Sequence, residues 1–74
     1  MSVAPLIIDG RELQPPEPLE RTLAALDELK PEQELVLLLN VEPHPLYSIL
    51  IRNGYRYVAE FKPDGTNEIR IRKA

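Results

Sequence analysis

Apolar residues recur along this chain in two rhythms, and the switches between them mark six elements. Leu6, Ile7 and Ile8 form a continuous apolar run within Val3 to Asp9, the pattern of a strand covered on both faces. Leu19, Leu23, Leu26 and Leu29 then recur at helical spacing, while Glu20, Arg21, Asp27 and Glu28 lie off that stripe, which predicts an amphipathic helix. From Glu34 to Val41 the period shortens to two. Leu35, Leu37, Leu39 and Val41 share one face, Val36 and Leu38 the other, as in a central strand. Leu46, Ile49, Leu50 and Asn53 predict a second, shorter helix. Two alternating stretches follow. Tyr55, Tyr57, Ala59 and Phe61 oppose Arg56, Val58, Glu60 and Lys62; Glu68 to Arg72 then places Ile69 and Ile71 together.

Turn chemistry separates these elements. Asp9-Gly10 and Pro63-Asp64-Gly65 read as turns. Lys30 suits the negative end of the first helix, and Pro31 ends it. Pro45 opens the second helix and Gly54 closes it in the left-handed conformation. The start of the first helix has two readings. Glu17 precedes a proline, which disfavours helical geometry and sets the start at Pro18. The other reading starts it at Pro16, about half a turn earlier. The order β-α-β-α-β-β predicts an α+β two-layer sandwich, with two helices on one face of a mixed four-stranded sheet. The first two strands, joined by a helix, form a right-handed βαβ unit.

Composition narrows the chemistry. At 74 residues the chain is read as one domain, 1–74. It has no cysteine, which removes disulfides, thiolate nucleophiles and zinc–thiolate sites, and gives no reason for an oxidising compartment. No basic start with a long apolar run opens the chain, and no apolar run reaches membrane-spanning length, so the expected location is the cytoplasm. Arginines outnumber lysines six to three, and the eight prolines sit largely in connections, a mix that suits a heat-adapted protein. The net charge of −3 is uneven: residues 1–50 carry nine acids and three bases, residues 51–74 three acids and six bases. That asymmetry either orients a partner or forms two ordinary solvated faces.

Three groups of residues are candidates for function. The lone His44 sits between prolines before a helix. It is either a solvated residue or a ligand, and as a ligand it needs carboxylates such as Glu42 or a second subunit to complete a metal site. Tyr55, Tyr57 and Phe61 share a face opposite the arginines, so they read as core rather than as a base-stacking platform, and the acidic total argues against nucleic acid. Arg56, Val58, Arg70 and Arg72 fall on the outer face of the sheet beside Val36 and Leu38. That strip is either a partner or dimer contact or a scatter of exposed apolar residues. No Walker loop, dinucleotide fingerprint or serine elbow is present, and no carboxylate sits in an apolar run that raises its pKa.

The run Asp9-Gly10-Arg11-Glu12-Leu13-Gln14-Pro15-Pro16-Glu17-Pro18 resembles the signature of the TusA/SirA-like sulfur-carrier superfamily. Its members carry a short strand, an Asp/Arg/Gly/Leu lead-in and Cys-Pro-x-Pro opening the first helix. Pro16 and Pro18 match the two prolines. The chain is similar above all to a Cys-less branch of small uncharacterised bacterial domains, through Pro-Pro-Glu-Pro-Leu-Glu, Glu42-Pro43-His44-Pro45-Leu46-Tyr47 and Asn53-Gly54-Tyr55. The resemblance implies the same fold over nearly the whole chain, and an association with haem, di-iron or nitrogen-oxide metabolism. It also aligns the superfamily's active cysteine with Pro15. Persulfide transfer needs a thiolate at the helix N-terminus, so sulfur carriage is not expected here. The expectation is a non-enzymatic binding or regulatory module without a cofactor. It meets an unidentified protein partner or a second copy through Pro15, Pro16, Glu17 and Pro18 or through the outer sheet face. The alternative is haem or metal handling through His44.

Overall fold

Six elements follow one another in the expected order: β1 (Leu6–Asp9), α1 (Glu17–Glu28), β2 (Leu35–Leu39), α2 (His44–Arg52), β3 (Tyr55–Phe61) and β4 (Asn67–Lys73). The computed structural model describes residues 3–14 and 17–73. The strands form one mixed sheet in the order β1-β2-β4-β3. β1 pairs parallel with β2, Ile7 against Val36, and β4 lies antiparallel to both of its neighbours. The fold is therefore α+β, with both helices on one face of the sheet.

The core lies between those layers. Leu35, Leu37, Ile69 and Ile71 come from the two interior strands, Leu26 from α1, and Leu46 and Leu50 from α2; Leu29 follows α1. Each such side chain, once buried, stabilises the fold by about 1.5–3 kcal/mol relative to exposure. β2 throughout, and β4 from Asn67 to Ile71, alternate between buried and half-buried positions, because each has a strand on both sides and helices over one face; Arg72 and Lys73 are exposed.

The buried stripe of α1 differs from the leucine pattern. Thr22 is fully buried, whereas Leu23 is exposed. The Thr22 hydroxyl donates to the Pro18 carbonyl at 2.8 Å, so its polar atom is satisfied within the helix and its methyl group packs inward. The inward row after Leu19 is thus Thr22, Leu26 and Leu29. α1 also ends at Glu28, with no basic residue in its last turn, so Lys30 lies beyond the helix. Gln33, almost wholly buried, organises the connection to β2. Its carboxamide oxygen accepts from the Lys30 N–H at 3.1 Å and its nitrogen donates to the Ala4 carbonyl at 2.9 Å. Glu17 is already helical, one residue ahead of the expected start at Pro18, and its N–H donates to the Gln14 carbonyl at 2.9 Å. Pro15 and Pro16, and with them the alternative start at Pro16, lie outside the described residues.

The C-terminal end of α2 follows expectation. Gly54 takes φ +80°, and Asn53 donates from its side chain to the Ile49 carbonyl at 2.8 Å. Several apolar residues depart from their expected place: β1 is covered on one face only, leaving Ile7 65% exposed on the other, and Ala59 of β3 is exposed. Val41 was expected on the inner face of β2, but the strand ends at Leu39 and Val41 is 66% exposed. Phe61 was expected in the core and is 67% exposed. α2 packs over the first half of β3, so Tyr55 and Tyr57 are covered while the far half, an outer strand, is left open. Among the described residues no helix is long and apolar enough to cross a membrane.

Candidate functional site

The corner after β1 is built by close approach. Gly10 is buried, and its N–H donates to the Leu38 carbonyl at 2.7 Å. A Cβ there would stand 2.8 Å from the Leu39 side chain and 3.3 Å from the Leu38 carbonyl oxygen. Gly10 therefore does not turn the chain in a left-handed conformation; it lets the chain pass against the end of β2. The turn itself falls at Arg11 and Glu12. Arg11 grips Asp9 through two side-chain hydrogen bonds of 2.9 and 2.7 Å, and its carbonyl accepts from Asn40 at 2.6 Å.

The Arg11 hydrogen bonds hold the Asp9 carboxyl at about 2, below its ordinary 3.8. Because this folded-state value is depressed, the stability Asp9 contributes is present above pH ~4 and is lost as pH falls toward ~2. Asp9→Asn is expected to remove that part of the acid sensitivity. Urea midpoints across the acid range check this, and an unchanged slope against pH would contradict it.

Beyond this corner, α1 and α2 begin side by side over the end of β2. Between them lies a cleft of about 300 Å³, walled by Pro18 and Leu19 of α1, Leu39 and Val41 at the end of β2, and Pro45 and Leu46 of α2, with Glu42 at its rim. The walls are almost wholly apolar. Local folding explains the opening. Pro18, Pro43 and Pro45 fix the entering backbone of both helices, and the early end of β2 turns Val41 outward. Glu17 in the first turn of α1 is paired with Arg21 at 2.9 Å, and Glu20 stands one residue before Arg21. Neither acid lines the cleft, whose α1 wall is Pro18, Leu19 and Thr22, so among the described residues Glu42 is its one acidic residue.

His44 lies next to this cleft, between two of its residues, with a side chain 75% exposed and its Nε2 3.6 Å from the Glu42 carboxylate. Its ring meets the edge of Tyr47, and Tyr47 stacks flat on Tyr57 at 4.4 Å between ring centres. Burial pushes the Tyr47 phenol above its ordinary value, and the negative charge of Glu42 adds to the rise. Among the described residues no three His, Cys, Asp or Glu side chains form a group that could hold a metal ion. One imidazole and one carboxylate are therefore what this corner offers a metal, two ligands short of a closed tetrahedral site.

Of the proline corner only Pro18 lines the cleft, Pro15 and Pro16 lying outside the described residues, and the outer sheet face is remote from it. Pro18 and the His44 segment meet at the cleft. Arg56, Val58, Arg70 and Arg72 lie on the opposite layer, where Arg56 faces Arg72 and Val58 faces Arg70 across β3 and β4. The cleft itself, Thr22 and the Tyr47–Tyr57 stack were not read from the sequence. Thr22 stands three residues after Leu19 and four before Leu26, so helical spacing alone could have marked it.

The model of one protein family, uncharacterised conserved protein (DUF2249), matches residues 7–73. The chain belongs to this family. No curated protein and no solved structure matches it. The matched span of this DUF2249 chain begins within β1 and ends with β4, so the cleft and the outer sheet face both fall inside it.

Proposed function

We propose that this DUF2249 chain is a non-enzymatic protein-binding module whose cleft receives an apolar side chain from a basic segment of a partner protein. The observation that carries the reading is the cleft between the helix starts, open, apolar and bordered by Glu42. At about 300 Å³ it is at the small end for ligand sites and suits one inserted side chain. Its proline-fixed walls are ordered before binding, which lowers the entropic cost of occupation. Glu42 at the rim complements positive charge flanking the inserted group. The resemblance to TusA/SirA-like sulfur carriers supports the same reading. That superfamily's nucleophile aligns with Pro15, so we propose a fold retained and a sulfur chemistry lost. A cysteine-free chain has nothing to gain from oxidation, and the cytoplasm is the proposed location.

The test is a titration with short peptides bearing one leucine or phenylalanine between arginines, followed by amide chemical shifts. Shift changes are expected at Leu19, Leu39, Val41 and Leu46. Val41→Asp, at an exposed position, should leave the fold intact and reduce affinity by about tenfold or more. Shifts confined to other surfaces, or an unaltered affinity in the variant, would overturn the proposal.

A further inference from the structure

We propose that the outer face of the sheet is the contact surface of a two-fold dimer of this chain. Three cross-strand rows make up this face. Arg56 faces Arg72 in the first, and Arg72 reaches Glu34, the residue before β2, at 3.3 Å. Ile7, Val36, Arg70 and Val58 lie in register in the second, and Asp9, Leu38, Glu68 and Glu60 in the third. The face thus runs from basic through largely apolar to acidic along the strands.

Each outer row carries a like-charged pair placed directly opposite, an arrangement that destabilises a sheet unless counter-charge is supplied. The acidic pair finds part of it within the chain. Lys62 lies 3.2 Å from Glu60 and 3.9 Å from Glu68, and Arg70 lies 3.6 and 3.9 Å from the same two. These separations are mostly long, and each carboxylate retains acceptor capacity. The basic pair finds less. Glu34 serves Arg72, while Arg56 makes no ion pair among the described residues.

A two-fold axis along the middle row answers both. It reverses the strand direction, so the first row of one copy lies over the third row of the other. Arg56 then meets Glu60 of the second copy and Arg72 meets Glu68, and each contact is made twice, as an isologous interface requires. The apolar side chains of the middle rows meet at the axis, covering Ile7 and Val58, which are 65% and 58% exposed in the single chain. Arg70 also falls there and faces Arg70 of the second copy, a like-charged contact eased by Glu60 and Glu68 of each chain at 3.6 and 3.9 Å. Sheets packed face to face in this way align within about 30°. A long polyanion suits the face poorly, because an acidic row stands about 13 Å from Arg56 and Arg72 and Arg70 is already engaged by that row.

The area sets the strength. Four strands spaced about 4.8 Å and five residues rising about 3.3 Å give a face of about 19 by 17 Å. That is a footprint of about 320 Å² per copy, below the size of standard specific interfaces, so a weak, concentration-dependent dimer is expected rather than an obligate one. The cleft opens on the helical layer, away from the sheet face, and stays free in the dimer.

Sedimentation over a concentration series, at low and high salt, tests the proposal on the full chain. Association should stop at the dimer and weaken as salt rises. Arg56→Glu and Glu60→Arg should each reduce association by about tenfold or more, since each sets like charges together twice. Mixing the two single variants should restore a heterodimer, and the double variant should restore the homodimer. In this cysteine-free chain, Val58→Cys should cross-link to its own copy with a short bismaleimide that spans the spacing of about 10 Å between packed sheets, whereas Ser48→Cys on α2 should not. A monomer at every concentration, association beyond the dimer, or a dimer indifferent to these charge changes would overturn the proposal. None of these readouts involves the cleft, so the peptide titration stands or fails separately.

Discussion

Replacing Leu37 with alanine is expected to lower the free energy of unfolding by about 2–5 kcal/mol. Leu37 is 1% exposed on an interior strand, with β1 on one side and β4 on the other. It touches the core from below both helices and also reaches the floor of the cleft. Truncation removes the transfer free energy of three carbons and leaves a void that the sheet cannot close, because its backbone is pinned in two ladders. A domain of this size is stable by only about 4–11 kcal/mol, so the loss is a large fraction of the whole. Urea unfolding followed by circular dichroism measures it. The expected signature is a lower midpoint with an unchanged slope; a loss below about 1 kcal/mol would show that the site collapses freely.

Gly10→Val is expected to destabilise by about 1–3 kcal/mol through overpacking. The cause is steric rather than conformational, because Gly10 is not among the glycines of positive φ. Its missing Cβ faces Leu39, itself 5% exposed, and the Leu38 backbone oxygen, which cannot move without breaking the hydrogen bond that Gly10 donates to it. Gly10→Ala should cost less, and much of its cost should vanish in a Leu39→Ala background, where the obstructing methyl group is gone. Gly54→Ala gives the contrasting case. Nothing lies within 4 Å of a Cβ there, so its penalty comes from φ +80° alone and should not couple to Leu39. Additive behaviour of Gly10→Ala and Leu39→Ala would refute the steric account.

The elements and their order were legible because each is announced locally. Leucine spacing marks α1, an unbroken apolar run marks β2, alternation marks β3 and β4, and Pro45 and Gly54 bracket α2. What failed was the inference from facing to burial. Alternation assigns Phe61 to the inner side of β3, but nothing in the local pattern says that α2 stops short of it. The same gap misplaced Val41, since the pattern continues past Leu39 while the strand does not. Thr22 was missed because a hydroxyl counts as polar on paper, although the Pro18 carbonyl satisfies it within one turn. The cleft was illegible for a different reason. Leu19, Leu39 and Leu46 are far apart in the chain, and only the packing of two helix starts over one strand end brings them together. The opposed charge pairs of the outer face were half visible: the sequence showed the arginines on one side of the sheet, but only the register sets Arg56 against Arg72 and Glu60 against Glu68.

The position of β4 bears on how the molecule comes into being. This strand is the last of the six elements and yet lies in the interior of the sheet, with β2 and β3 paired on either side of it. While the polypeptide is still being synthesised, β2 therefore exposes one ladder edge, and Leu35 and Leu37 lack their cover from Ile71 and Ile69. β1, α1 and β2 can meet as they emerge, but the sheet cannot close until the ribosome has released residues up to Lys73. Folding is then completed late rather than progressively, and a nascent chain stalled anywhere before β4 presents an open strand edge to chaperones or to its neighbours.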